Sequence, residues 1–249
     1  MHNRVHSTLA ARAVLAAAGL LALAPGTRGD DPPSEHALNV PPPGYVALFN
    51  GKDLTGWKGL VLNPKQRAAM SAEENVERQK EADARMHNHW KVVDGALMFD
   101  GAPFNVSGPL CTIKQYGNFE MLVDWKISKG GDSGIYLRGS PQVQIWDPDE
   151  PSQQKNGAGK GSGALWNNAI NERFPLVRAD NRIGEWNSFK IRMVGDRVSV
   201  WLNGKLVTDN VVMENYWDRK KPIYPREQIE LQNHNHPLYF RNIFIKELP

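Results

Sequence analysis

From Trp90 to the C-terminus the chain is written in period two, which restricts it to sheet. "GNFEMLVDWKIS" puts Phe119, Met121, Val123, Trp125 and Ile127 on one side and Glu120, Leu122, Asp124 and Lys126 on the other, because successive strand side chains point to opposite faces. "HWKVVDGALMFDG", "EWNSFKIRMVGDRVSVWLNGKLVTDN", "QIELQNH" and "LYFRNIFIKEL" repeat the habit, their Val, Ile, Phe, Tyr and Trp punctuated by Gly, Asn, Asp and Pro. Asn203-Gly204, between "VSVWL" and "KLV", predicts a two-residue hairpin with positive φ at both positions. The expected fold is all-β, a two-sheet antiparallel jelly-roll sandwich with its first and last strands side by side.

The N-terminal part differs. Arg4 and Arg12, the apolar run Ala13 to Ala24 and the small residues of Thr27-Arg28-Gly29 read as an export signal over residues 1–29. The run is too short to anchor the chain across a bilayer. A proline-rich linker is expected over 30–43 and the sandwich domain over 44–249, with "YVALFNGKDLTGW" as a strand and a turn at Asn50-Gly51-Lys52-Asp53. "PKQRAAMSAEENVERQKEADARMHNHW" predicts one helical insertion, residues 63–89, with Ser71 three before Glu74 as its capping signal. Its Met70, Val76 and Met86 are too sparse for a buried stripe, so it is expected as an exposed insertion packed along one side.

Loss of residues 1–29 removes three arginines and no acid, lowering Lys plus Arg from 30 to 27 against 27 Asp plus Glu. A near-neutral chain lacks the basic footprint of nucleic-acid binding. Cys111 is the one cysteine, so no internal disulfide can form and the thiol is expected in the core.

The candidate site starts from "GGDSGIYLRGSPQVQIWD", two strands around Gly139-Ser140-Pro141. Ile135, Leu137, Val143 and Ile145 make a core face, while Tyr136, Arg138, Gln142, Gln144 and Trp146 make the other. Arginine and amide forks with aromatic rings are what a saccharide needs, hydrogen bonds for its hydroxyls and flat apolar surface for its C–H faces. With Asp124 from "NFEMLVDWKI" and Gln232 and His234 from "QIELQNH", a curved sheet is expected to gather these groups on its concave side. Glu120 and Asp124 lie four residues apart, about 13 Å along a strand. That is too far for a glycosidase dyad, whose carboxyls stand about 5 to 9.5 Å apart. His234 and His236, with Asp147 or Asp149, could ligate a transition metal, and loop oxygens a calcium ion, although no third protein ligand is fixed by the spacing. The long irregular stretch from Asp147 to Trp186 is expected to be a lid over one sheet face; its "NGAGKGSG" is not a phosphate loop.

Taken in succession, "YVALFNGKDLTGW", "WKVVDGAL", "YGNFEMLVDWKISKGGDSGIYLRGSPQVQIWD", "GEWNSFKIRMVGDRVSVWLNGKLVTDN" and "IELQNHNHPLYFRNIFIKEL" resemble the 3-keto-disaccharide hydrolase family, over about Gly44 to Leu248. The resemblance implies a concanavalin A-like lectin/glucanase sandwich. It also implies cleavage of glycosides whose sugar carries a ketone at C3. That chemistry needs one base, a stabiliser for an enolate and an acid for the leaving group rather than two flanking carboxylates. On this reading Asp124 or His234 is the base and Arg138 the enolate stabiliser. Gln144, Gln232 and Glu120 contact hydroxyls, and Tyr136 and Trp146 form the sugar platform. Two other readings are a carbohydrate-binding module without turnover and an interaction domain docking a partner through its helix.

Overall fold

The structure is a computed structural model and describes residues 37–139 and 142–249. The signal-like segment, the first half of the linker (residues 30–36), and Ser140 and Pro141 lie outside the described residues. In chain order the elements are β1 (Val46–Ala47), β2 (Trp57–Gly59), α1 (Pro64–Arg67), α2 (Ala72–His89), β3 (Trp90–Val93), β4 (Ala96–Phe99), β5 (Leu110–Thr112) and β6 (Phe119–Ile127). They continue with β7 (Asp132–Tyr136), β8 (Gln142–Trp146), β9 (Asn187–Val194), β10 (Arg197–Leu202), β11 (Lys205–Val212), β12 (Glu230–Gln232) and β13 (Leu238–Glu247).

Every pairing is antiparallel. One sheet has eight strands, ordered β11-β10-β9-β6-β13-β4-β3 with β1 on β13; the other has five, ordered β2-β5-β12-β7-β8. The first and last strands are therefore neighbours, with Val46 opposite Ile245. Asn203 and Gly204 take φ of 50° and 79° between β10 and β11, as their turn requires.

The core lies between the sheets. The period-two face of β6, from Phe119 to Ile127, is buried at every second residue and meets Leu110, Ile135, Val143, Ile145 and Leu231 of the smaller sheet. Trp125 packs on Phe189 at 5.4 Å between ring centroids. Cys111 is fully buried and free.

The expected single helix is two. Asn63 closes a capping box with Gln66 around α1, and the Ser71 hydroxyl accepts from the Glu74 amide to start α2. As expected, α2 is mostly exposed and packs along one side. β2 is the edge of the five-stranded sheet, and α2 covers it: the Asp83 carboxylate accepts the Gly59 amide at 2.9 Å and the Gln79 amide donates to the Gly59 carbonyl at 2.9 Å. An open strand edge is thereby satisfied by side chains. Gly59 permits this approach, since a methyl group there would overlap the Ala82 carbonyl.

Candidate functional site

Residues directly opposite in an antiparallel ladder share a face, so the register assembles the outer face of the five-stranded sheet row by row. Lys58, Cys111, Glu230, Tyr136 and Gln142 form one row. Gln232, Gly134 and Gln144 form the next, and Asp132 and Trp146 the third. Gly134 is bare so that the Gln142 amide can lie across it. From there a hydrogen-bonded chain runs along the face, Gln142 Nε2 to Gln144 Oε1 at 2.6 Å and Gln144 Nε2 to Asp132 Oδ1 at 2.7 Å.

This face is the floor of a cleft of about 390 Å³. Tyr136, Glu230 and Gln232 lie on the floor; Asn63 and Gln66 of the α1 segment and Ala82 and Arg85 of α2 stand on one wall. The loop carrying Phe104 and Pro109 and the ring of Trp217 complete it. Trp217 stacks on Tyr136 with centroids 6.5 Å apart and 17° between planes, and its Nε1 donates to the Gly139 carbonyl at 2.7 Å. The α1 wall is fastened by Arg67, whose guanidinium reaches Glu227 Oε1 at 2.9 Å and the carbonyls of Val61 and Leu62.

The cleft has free acceptors at its base. Glu230 is 7 % exposed, and its carboxylate makes no hydrogen bond or ion pair with any described residue. Burial pushes this acid up to about 8; Arg67 opposes the rise and Glu227 adds to it. Gln232 Oε1 is buried and unpartnered. Tyr136 is likewise buried, and its phenol is held protonated chiefly by desolvation. Unsatisfied polar atoms converging at the base of a cavity are expected where a ligand supplies the missing partners.

The expected site residues are divided by the sandwich. Tyr136, Gln144 and Gln232 do share a face, and Trp146 lies on it too. Trp146 is no platform, however: it is 2 % exposed, donates to the Gly161 carbonyl at 2.9 Å and meets Trp166 edge-on. The cover comes from the segment around Gly163, which pairs with Gln144 through Ala164 O and Gly163 N. The expected lid thus adds to the β8 side and covers Trp146, while the helical insertion walls the cleft.

Asp124 does not join this face. It lies on the outer face of the eight-stranded sheet, accepting from Ser188 Oγ at 2.5 Å, Asn242 Nδ2 at 2.8 Å and Arg241 Nε at 3.3 Å. Glu120 is on that same far face, bonded by the Tyr45 hydroxyl and by Lys190 at 3.2 Å. The expected gathering fails because β6 belongs to the other sheet, so its polar side points away from that of β7.

Arg138 is displaced for a different reason. Strand β7 ends at Tyr136, and Arg138 takes φ of 50°, so the alternation does not carry through to it. Its Nε meets Met193 Sδ at 3.3 Å and its Nη1 donates to the Pro225 carbonyl at 3.1 Å, inside the sandwich.

His234 is exposed beyond the floor. Among the described residues, no three or more His, Cys, Asp or Glu side chains form a group that could hold a metal. Asp147 instead accepts the amides of Gly130 and Asp149, and Asp149 takes both ends of Arg178. Sequence reasoning missed Glu230 as a chemical group and Trp217 altogether. Glu230 is on the polar side of "QIELQNH", and only the pairing of β12 with β7 sets it beside Tyr136.

The architecture is a two-sheet antiparallel sandwich with one outer sheet face walled into a polar-floored cleft. Residues 44–246 match the 3-keto-alpha-glucoside-1,2-lyase-like domain, and the chain belongs to that family. It is 23 % identical to a 3-keto-disaccharide hydrolase of Bacteroides thetaiotaomicron, covering 85 % of this chain and 81 % of the relative. A Parabacteroides distasonis structure provisionally classed as a glycosyl hydrolase superposes with a TM-score of 0.60 at 26 % identity, covering 86 % of this chain and 100 % of that one. A second from the same organism gives 0.57 at 24 %, covering 86 % and 95 %.

Proposed function

We propose that this chain cleaves 3-keto-glucosides at the anomeric bond, on the outer face of the five-stranded sheet, with Glu230 as the base. The observation that carries the reading is Glu230 itself, a buried carboxylate with no hydrogen-bond donor at the base of a cleft, beside Tyr136 and Gln232. The family match and the Bacteroides relative's named substrate support the choice of sugar.

A ketone at C3 acidifies the C2 proton. Glu230 takes that proton, and the C2–H electron pair becomes an enolate with its charge on O3. The protonated Tyr136 phenol is the neutral donor available to that oxygen. As C3=O re-forms, C1=C2 forms and the C1–O bond breaks, the leaving group departing with the electron pair. Water adding at C1 of the enone completes an overall hydrolysis. Glu230, protonated in the first step, returns that proton to the departing oxygen, so one acid–base carboxyl and one oxyanion donor meet the need for base, stabiliser and acid.

Purified protein is to be incubated with a 3-keto-glucoside and with its unoxidised parent. Release from the keto substrate alone is expected, with Glu230→Gln lowering kcat/KM by about 100-fold or more. Equal release from both substrates, or full activity in Glu230→Gln, would refute the assignment. Binding without any release would favour the lectin-like reading. Export is also part of the proposal, supported by the Arg4, Arg12 and Ala13–Ala24 pattern. N-terminal sequencing of protein recovered outside the cytoplasm is expected to begin near Asp30.

A further inference from the structure

The cleft has two characters. Its lining is polar at Tyr136, Glu230 and Gln232, yet it also carries Leu60, Leu62, Phe104 and Pro109. Two of these are large apolar side chains left in solvent at the mouth, Leu62 at 39 % and Phe104 at 54 % exposure. Both are held there by their backbones. Leu62 stands at φ of 46°, a left-handed conformation unfavourable for a residue with a branched side chain. Its carbonyl is gripped by Arg67 Nη1 at 2.6 Å, so the strain is locked in by the clasp that fastens α1. The Phe104 amide donates at 2.9 Å to Asn235 Oδ1, and Asn235 is itself at φ of 51°. Apolar side chains fixed at the mouth of a cavity mark a surface that something covers.

The ionisable groups that line the cleft bear on what that is. They are Glu230, Tyr136 and Arg85. With Glu230 used as base and Tyr136 on the enolate oxygen, the third is a permanent cation. A sugar alkoxide needs a proton to leave. An aryl oxide departs as an anion, and a guanidinium on the wall favours it.

We infer that the Leu62–Phe104 wall is a leaving-group subsite for a flat apolar aglycone, so that the preferred substrates are 3-keto-glucosides of phenols and larger aryl alcohols. The inference rests on the proposed reaction. Its occupant is continuous with that site, because the apolar wall and Glu230 line one cavity.

The test compares 3-keto-glucosides of phenol and of 2-naphthol, leaving groups of similar acidity, with a 3-keto-disaccharide. The larger ring is expected to raise kcat/KM about tenfold through the extra apolar surface it buries. Leu62→Asn, which suits the left-handed backbone, and Phe104→Ala are each expected to bring the naphthyl-to-phenyl ratio close to one, with a smaller loss on the disaccharide than on the naphthyl substrate. A ratio near one in the parent protein, or equal losses on aryl and disaccharide substrates, overturns the inference. A calorimetric titration with unoxidised 2-naphthyl glucoside needs no turnover. Weaker binding by about tenfold in both variants supports the subsite even if no keto substrate is cleaved, an outcome that would sink the reaction and spare the wall. Unchanged binding removes the wall whatever the reaction does.

Discussion

A carboxylic acid largely desolvated and without a donor keeps its proton to higher pH, and at neutrality Glu230 is a base held partly in reserve. Its ionised form is the active one in the proposed reaction, so kcat/KM is expected to rise with pH through about 8 and level above it. A pH–rate profile with a 3-keto-glucoside checks this; a limb near the ordinary carboxylate range would assign the base elsewhere. Asp124 gives the contrasting case. It accepts from Ser188, Arg241 and Asn242 on the far sheet, so Asp124→Asn is expected to leave kcat/KM within about threefold. It should nonetheless reduce stability by about 1 to 3 kcal/mol, the usual loss when charged hydrogen bonds are broken. Denaturant melts beside initial rates on the two variants would separate an acid that reacts from one that ties strands together.

At the level of elements, the helical insertion is what turns a sheet face into a cleft, and its two attachments have different consequences. Gly59 lets α2 lie against the edge of β2, so Gly59→Ala is expected to lift the helix, lowering stability by about 1 to 3 kcal/mol and raising KM as the wall opens. The second attachment, Arg67 to Glu227, is electrostatic and flanks Glu230. The other ionisable groups around Glu230 are Lys58 and Cys111 along the ladder, Tyr136 on β7 and Arg85 from α2. Arg67→Met leaves Glu227 as an unpaired anion and removes a cation, both of which disfavour ionised Glu230. The limb of the pH–rate profile is therefore expected to move up, by about half to one pH unit. Glu227→Gln keeps the cation and removes the anion, so the limb should move down. Either change loosens α1, and a purely structural role would shift both profiles in the same direction.

Across the whole molecule, what could be read from the sequence was whatever depends on neighbours in the chain. The alternation of β6, the Asn203-Gly204 turn and the Ser71 cap are local, and they stand where the sequence puts them. The shared face of Tyr136, Gln144 and Gln232 was within reach for the same reason. Which sheet a strand enters is set by long-range pairing, and no pattern within "NFEMLVDWKI" or "QIELQNH" reveals that Asp124 faces away from Glu230. Arg138 was lost to a strand that ends two residues early, and Trp146 to a cover approaching from 18 residues further along the chain, at Ala164. That long-range assembly has a thermodynamic signature. Glu230 titrates near 4.5 in the unfolded chain and at about 8 in the folded one. Between those values the folded state binds the extra proton, so stability is fully present below the lower value and declines as pH rises, by roughly 5 kcal/mol across the window. Asp132 and Asp180 are also raised by burial and slope the same way, but they are common to the parent and to Glu230→Gln. The neutral amide has no such slope. The variant is therefore expected to melt with the parent near pH 4.5 and about 10 °C above it at pH 8.5, gaining stability where the parent gains its base. A melting difference that stays constant across that range would mean that Glu230 ionises in the fold as freely as it does in water.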